Sequence, residues 1–179
     1  KVHAEAAKAA VEQQLSAPRP ALEESWHQLP SKTSLPVNGI QIRVCSWNLQ
    51  GRPIDSKDDL KALLCPAGKA ADVYVIGIQE LVELGAVSLL KSKDGDEHRQ
   101  IDLEKMLEDR LADSGQDYFR LCSFGMVGLS LLVYVKESLA ANIGQADCDR
   151  VKTGIDGLGG NKGGLAVRFL LGSISMCFV

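Results

Sequence analysis

The sequence predicts an α/β layered sandwich, and three observations carry that prediction. Val73 to Ile78 is a near-continuous apolar run of strand length, the pattern of a sheet interior covered on both faces. Helix-spaced leucines dominate the stretch before Gly115. After it the texture changes to short apolar segments separated by glycine-containing turns, which read as strands.

Taken in order, residues 4 to 15 are alanine-rich with Glu5, Lys8 and Glu12, predicting a short helix whose alanine face docks weakly. Four of the six prolines (Pro18, Pro20, Pro30 and Pro36) then fall in a serine-containing stretch. It reads as a linker or an extended wrap over residues 16–39, ending near Asn38-Gly39. Residues 1–39 thus form a helix plus linker, and the compact domain runs over residues 40–179. Ile40, Ile42, Val44 and Ser46 alternate with Gln41, Arg43 and Cys45, a strand of period two that ends in Trp47-Asn-Leu-Gln-Gly51 and Pro53. Residues 56–65 read as a helix with Leu60, Leu63 and Leu64 on one face and Ser56 as a cap. The run from Val73 leads into Gln79-Glu80, a helix is expected over Leu81 to Leu90, and residues 91–99 read as a charged loop. Leu103, Met106, Leu107 and Leu111 recur at helical spacing. Tyr118 to Phe124 and Leu129 to Val135 read as a hairpin around Gly125-Met-Val-Gly128. Strands are expected over Ala146 to Thr153 and Leu165 to Leu171, and Gly172-Ser173 turns into a last apolar segment. The chain starts without methionine and stops in a strand pattern with no closing turn, which reads as a piece of a longer protein with companion domains.

Composition narrows the function classes. With 45% hydrophobic and 24% charged residues and a net charge of −3, the chain is ordinary and globular, without the basic footprint of a nucleic-acid binder. No run of about 18 apolar residues predicts a membrane span. The five cysteines are scattered, odd in number and lack a Cys-x-x-Cys, and three lie in strand-like apolar surroundings. That usage favours reduced, buried thiols in a cytosolic protein over a disulfide framework. The absence of an Asn-x-Ser/Thr acceptor agrees.

The densest motif runs from Thr153 to Phe169. Six of the twelve residues from Thr153 to Gly164 are glycine, interrupted by Asn161-Lys162, and an apolar strand follows at once. Glycine admits close backbone approach, and lysine is a compact positive charge with three donors, so the stretch suits phosphate. The plainer alternative is a flexible hairpin loop with a solvated lysine. A Walker loop is excluded, since Lys162 precedes Gly163-Gly164 rather than Ser/Thr and no helix begins there. A dinucleotide fingerprint is excluded because a strand, not a helix, follows.

Two further polar positions stand at the carboxyl ends of expected core strands: Asn48 after the first and Gln79-Glu80 after the second. That edge of an α/β sheet is where ligands bind. Glu80 offers a hard oxygen suited to Mg²⁺, which takes one or two protein carboxylates and keeps water and substrate phosphate for the rest. Asn48 offers a neutral oxygen or orients a water. The plain readings are an acid in the first turn of a helix for Glu80 and a turn residue for Asn48. Metal, phosphate and lysine belong to one chemistry, which is why the three positions are taken together.

Trp47-Asn-Leu-Gln-Gly51, Gly77-Ile-Gln-Glu-Leu-Val82 and Gly160-Asn-Lys-Gly-Gly-Leu-Ala-Val-Arg-Phe169, with Val151-Lys-Thr-Gly154 ahead of the last, resemble the first three signatures of the inositol polyphosphate 5-phosphatases. That family belongs to the endonuclease/exonuclease/phosphatase superfamily. The similarity covers about Ile40 to Val179, and Glu83-Leu-Gly-Ala86 resembles the synaptojanin-type branch. The resemblance implies a four-layer α/β sandwich of two mixed β-sheets flanked by helices, incomplete in this chain. It implies Mg²⁺-dependent removal of the 5-phosphate from phosphoinositide head groups or soluble inositol phosphates, in the cytoplasm and at the cytosolic membrane surface. Carried over, Glu80 and Asn48 are the metal and catalytic positions, and Asn161 and Lys162 contact substrate phosphate.

Gln50 departs from the family's more usual asparagine but keeps an amide. The family's Ser-His-Leu, Asp-x-Asn, Trp-Cys-Asp-Arg and Ser-Asp-His elements are absent, and His3, His27 and His98 lie far from any signature. Phosphoryl chemistry needs a base and charge stabilisers beyond one carboxylate, so this polypeptide alone is expected to hydrolyse nothing. The alternatives are a non-catalytic phosphoinositide-binding module of the same fold and a superfamily nuclease, which the acidic balance and the Asn161-Lys162 loop disfavour.

Overall fold

The computed structural model describes residues 29–54, 60–82, 88–126, 128–153 and 163–179. The elements in chain order are β1 (Ile42–Asn48), α1 (Leu60–Leu64), β2 (Val73–Gln79), α2 (Ser88–Ala112), β3 (Tyr118–Met126), β4 (Leu129–Lys136), β5 (Ile143–Lys152), β6 (Gly163–Leu171) and β7 (Ile174–Phe178). Short 3₁₀ turns at Pro66–Gly68 and Glu137–Asn142 complete the set. They build two sheets, one of four strands in the order β1-β2-β4-β3 and one of three in the order β5-β6-β7. The first is mixed, with β1 parallel to β2 and the other pairs antiparallel, and the second is antiparallel throughout.

The alternation within β2 explains the layering. Tyr74, Ile76 and Ile78 face outward onto Leu103, Leu107 and Leu111, which recur every four residues along α2. Val73 and Val75 face inward and join Val133, Val135 and Leu121 against Leu165, Val167, Phe169 and Leu171 of β6. Both faces are therefore dry, as the unbroken apolar run predicts, and each fully buried large side chain contributes about 1.5–3 kcal/mol. Among the described residues the layers are helix, mixed sheet and antiparallel sheet.

The charged loop expected over residues 91–99 is instead the amino-terminal part of α2, which runs 25 residues without a break. Charge marks a solvated surface, and lysine and glutamate are good helix formers, so the run is compatible with helix once the later turns pack. The helix expected over Leu81 to Leu90 is seen only from Ser88, and residues 83–87 lie outside the described residues. The hairpin turn is tighter than expected, since β3 reaches Met126 and pairs it with Leu129.

The stretch read as linker or wrap makes contacts with the domain. Asn142, only 2% exposed, donates from Nδ2 to the carbonyls of Lys32 and Ser34, each at 2.9 Å, and the Lys32 N–H donates to Ala141 O at 2.9 Å. Residues 1–28, with the alanine-rich segment, lie outside the described residues.

Candidate functional site

The parallel β1–β2 pair delivers two of the singled-out residues to one place. The register sets Asn48 opposite Gln79, and the ladder continues past both strand ends through Leu49 N–H to Gln79 O and Gly51 N–H to Glu80 O, each at 2.9 Å. Asn48 Nδ2 donates to Glu80 Oε1 at 3.1 Å. Asn48 Oδ1 accepts the N–H of Gln50 at 2.8 Å, a side chain closing a turn on its own backbone. The Gln50 N–H thereby fixes which end of the amide is oxygen, and the nitrogen is what faces the carboxylate.

Glu80 is not in a helix: its φ is 49°, and Gln50 nearby has a φ of 53°. Left-handed backbone at a residue with a Cβ costs about 1–3 kcal/mol and persists only where the surroundings hold it. The helix-dipole reading of Glu80 fails here, and the strain points instead to a residue held where a side chain is needed.

Arg99 on α2 does much of the holding. Its Nη1 donates to Gly51 O at 2.7 Å and to Leu81 O at 3.2 Å, bridging the loop after β1 to the loop after β2. Leu49 and Leu81 are buried beside it, and the Leu81 N–H donates to Gly128 O at 3.0 Å, tying the same loops to the β3–β4 turn. Arg52 lies over the Trp47 ring at 5.4 Å, a cation–π contact that packs the β1 loop. Sequence reading missed Arg99, because its partners are backbone carbonyls and its neighbours look like a loop.

The glycine-rich segment is anchored at the same end. Its stem is the Lys152–Gly163 pair of β5 and β6. A Cβ on Gly163 would lie 1.9 Å from Val151 O and 2.7 Å from Met126 Cε, so glycine is required where β6 begins. Arg150 Nη1 donates to Gly125 O at 3.1 Å, joining that stem to the β3–β4 hairpin that also contacts Leu81. Residues 154–162, with Asn161 and Lys162, lie outside the described residues, as does the Glu83–Ala86 wording.

The donor set at this end is Glu80 with the Asn48 amide beside it. Among the described residues no three metal-binding side chains cluster. His98 is exposed on α2, and His3 and His27 lie outside the described residues. One carboxylate with free oxygen lone pairs suits a hard divalent ion that completes its shell with water and phosphate oxygens, as Mg²⁺ does. A cleft lined by Glu108, Gln116, Tyr118, Tyr134 and Glu137 lies at the opposite end of the sheet, where β4 ends, and takes no part in this site.

Comparison with known proteins adds to this geometry. The family model described as Endonuclease/Exonuclease/phosphatase family 2 matches residues 45–179. The chain is 33% identical over 141 residues to inositol-1,4,5-trisphosphate 5-phosphatase 1 of Schizosaccharomyces pombe, covering 78% of this chain and 13% of that protein. It superposes with a TM-score of 0.61 and 32% identity on the inositol polyphosphate 5-phosphatase domain of SpSynaptojanin in complex with inositol (1,4)-bisphosphate and calcium, covering 77% of this chain and 38% of that one. Cimex nitrophorin in its ferrous NO complex shares the fold at a TM-score of 0.59 and 18% identity, over 77% of this chain and 44% of that one. The chain thus spans 13% of the Schizosaccharomyces pombe protein and less than half of either structure, and the fold alone does not choose among their functions.

Proposed function

Because this chain belongs to the endonuclease/exonuclease/phosphatase family 2, we propose that it is the amino-terminal portion of an inositol polyphosphate 5-phosphatase domain, acting on the 5-phosphate of phosphoinositides or soluble inositol phosphates. The observation that carries this reading is the Asn48–Glu80 contact of 3.1 Å at the carboxyl end of a parallel strand pair.

In this reading Glu80 holds the metal, which is Mg²⁺. Asn48 gives the carboxylate its orientation, since the amide nitrogen faces it. Asn161 and Lys162 bind substrate phosphate as neutral and charged donors. A bound Mg²⁺ supplies charge neutralisation on the phosphoryl oxygens. The backbone of Gln50 and the guanidinium of Arg99 keep the two loops in register before substrate arrives. This sequence carries no counterpart of the family's Ser-His-Leu element, so no residue here is assigned proton transfer to or from the attacking water. Residues 1–179 therefore bind without turning over, with companion segments and the cytosolic membrane face belonging to the longer protein. Among the described residues no helix is long and apolar enough to cross a membrane.

The test is calorimetric titration of residues 1–179 with inositol 1,4-bisphosphate with and without Mg²⁺, beside a phosphate-release assay with the 1,4,5-trisphosphate. Binding that needs Mg²⁺ and is lost in Glu80→Gln and Lys162→Ala is expected, without phosphate release. Binding indifferent to both substitutions would overturn the reading. A non-catalytic binding module of the same fold is the second reading, favoured by the lone carboxylate; Mg²⁺-dependent phosphate release by the longer protein, as opposed to residues 1–179, would eliminate it.

A further inference from the structure

We propose that Cys122 and Cys148 are a redox-controlled cross-link between the two sheets, closed by hydrogen peroxide and reopened by thiols. Cys122 is buried on β3 in the four-stranded sheet, and Cys148 is half-buried on β5 in the three-stranded sheet. Their sulfurs lie 2.8 Å apart across the inter-sheet core. A disulfide needs about 2.05 Å, so the two sulfurs must approach by less than an ångström. Both strands already carry an irregularity, between Arg120 and Cys122 on β3 and between Gly144 and Asp147 on β5, where backbone can adjust.

The pair is asymmetric in a useful way. The thiol contact holds Cys148 below the ordinary cysteine value, while the same contact and burial push Cys122 up. Cys148 is thus the more readily ionised and also the more accessible of the two, the combination that favours reaction with peroxide. The other cysteines have different partners. Cys45 donates to Leu63 O at 3.4 Å, Cys65 contacts the Tyr74 hydroxyl at 3.5 Å, and Cys177 is exposed on β7.

The chemistry balances. The Cys148 thiolate attacks one peroxide oxygen, so an S–O bond forms, the O–O bond breaks, and hydroxide leaves, becoming water with the proton that Cys148 released on ionising. The Cys122 sulfur then attacks the Cys148 sulfur. The S–S bond forms, the S–O bond breaks, and the departing hydroxyl leaves as water with the Cys122 proton. In sum two thiols and one peroxide give one disulfide and two waters. The cross-link would tie β5, whose end Lys152 forms the stem of the glycine-rich segment, to the sheet that carries Asn48 and Glu80.

The experiment treats purified 1–179 with stoichiometric hydrogen peroxide and follows it by intact mass, non-reducing peptide mapping and thermal melting. The expected result is loss of two hydrogens, a peptide pair linking Cys122 to Cys148, and a Tm higher by about 5–10 °C that dithiothreitol reverses. Cys122→Ser and Cys148→Ser each abolish all three changes, and Cys177→Ser abolishes none. Should a serine variant not fold, the peptide map of the unsubstituted chain decides alone. Oxidised protein in which both cysteines still alkylate, or which is linked only between chains through Cys177, overturns the proposal.

Discussion

Asn48 and Glu80, 32 residues apart in sequence, meet through an amide-to-carboxylate hydrogen bond of 3.1 Å. The contact is the direct consequence of a parallel strand pair whose ladder continues into both following loops. Neither residue is deeply buried, and Glu80 sits in backbone a side chain ordinarily avoids. The arrangement is costly for the fold and of little use to it, as expected of residues kept for a ligand.

Glu80→Gln keeps the hydrogen-bonding shape and removes the charge. It is expected to weaken Mg²⁺ or Mn²⁺ affinity by at least about tenfold, a loss of about 1.4 kcal/mol. The Tm should stay within about 2 °C, because surface substitutions change stability by only about 0.5 kcal/mol. Calorimetric metal titration beside thermal melting separates the two readouts.

Arg99 differs because its guanidinium reaches two carbonyls from two loops. Arg99→Ala leaves both without a charged donor and is expected to cost about 1.5–3 kcal/mol. Arg99→Lys recovers part of this, since an ammonium lacks the planar fork. Chemical denaturation measures the cost, and weakened metal affinity in Arg99→Ala alone would show that the clamp sets the Asn48–Glu80 geometry.

Some of this was legible in the sequence and some was not. The β2 run declared its two dry faces because every position from Val73 to Ile78 except Gly77 carries a large apolar side chain. Asn48 and Glu80 were readable because they end such runs in a recognisable wording. The helix over residues 91–99 was not, since a charged stretch looks alike in loop and solvated helix. Arg99 bonds to backbone carbonyls, which leave no trace in sequence. The Cys122–Cys148 contact spans 26 residues and two sheets, with no motif to announce it.

Tyr134 gives the fold an alkaline limit. It is 1% exposed, its hydroxyl makes no hydrogen bond of good geometry among the described residues, and the neighbouring Arg120 pairs with Glu104 and Glu108. Burial, reinforced by the Glu108 carboxylate, pushes its hydroxyl well above the ordinary tyrosine value of 10.0. A raised folded-state value means that the native state holds the proton more tightly than the unfolded chain does. Its contribution is complete below pH 10 and is lost as pH rises beyond that. Tyr134→Phe should flatten the fall in stability between about pH 9.5 and 11.5 and be neutral or slightly stabilising at pH 7, because it deletes an unpaired buried hydroxyl. Denaturation midpoints across that range check both parts.

Gly163 tests whether the stem of the glycine-rich segment is built as described. Alanine there would place its Cβ 1.9 Å from Val151 O, closer than any packing adjustment absorbs, with Met126 Cε at 2.7 Å on the other side. The strand end must therefore shift, breaking the Lys152–Gly163 and Val151–Gly164 pairings. Gly163→Ala is expected to cost at least about 2 kcal/mol, in the range of overpacking against fixed backbone. The neighbouring Gly164, whose Cβ would meet nothing within 4 Å, should accept alanine with less than half that loss. Amide hydrogen exchange locates the damage: faster exchange confined to the β5–β6 end in Gly163→Ala, with β2 and β4 unchanged, is the expected pattern. Equal losses at the two glycines would mean that the close approach to Val151 does not exist.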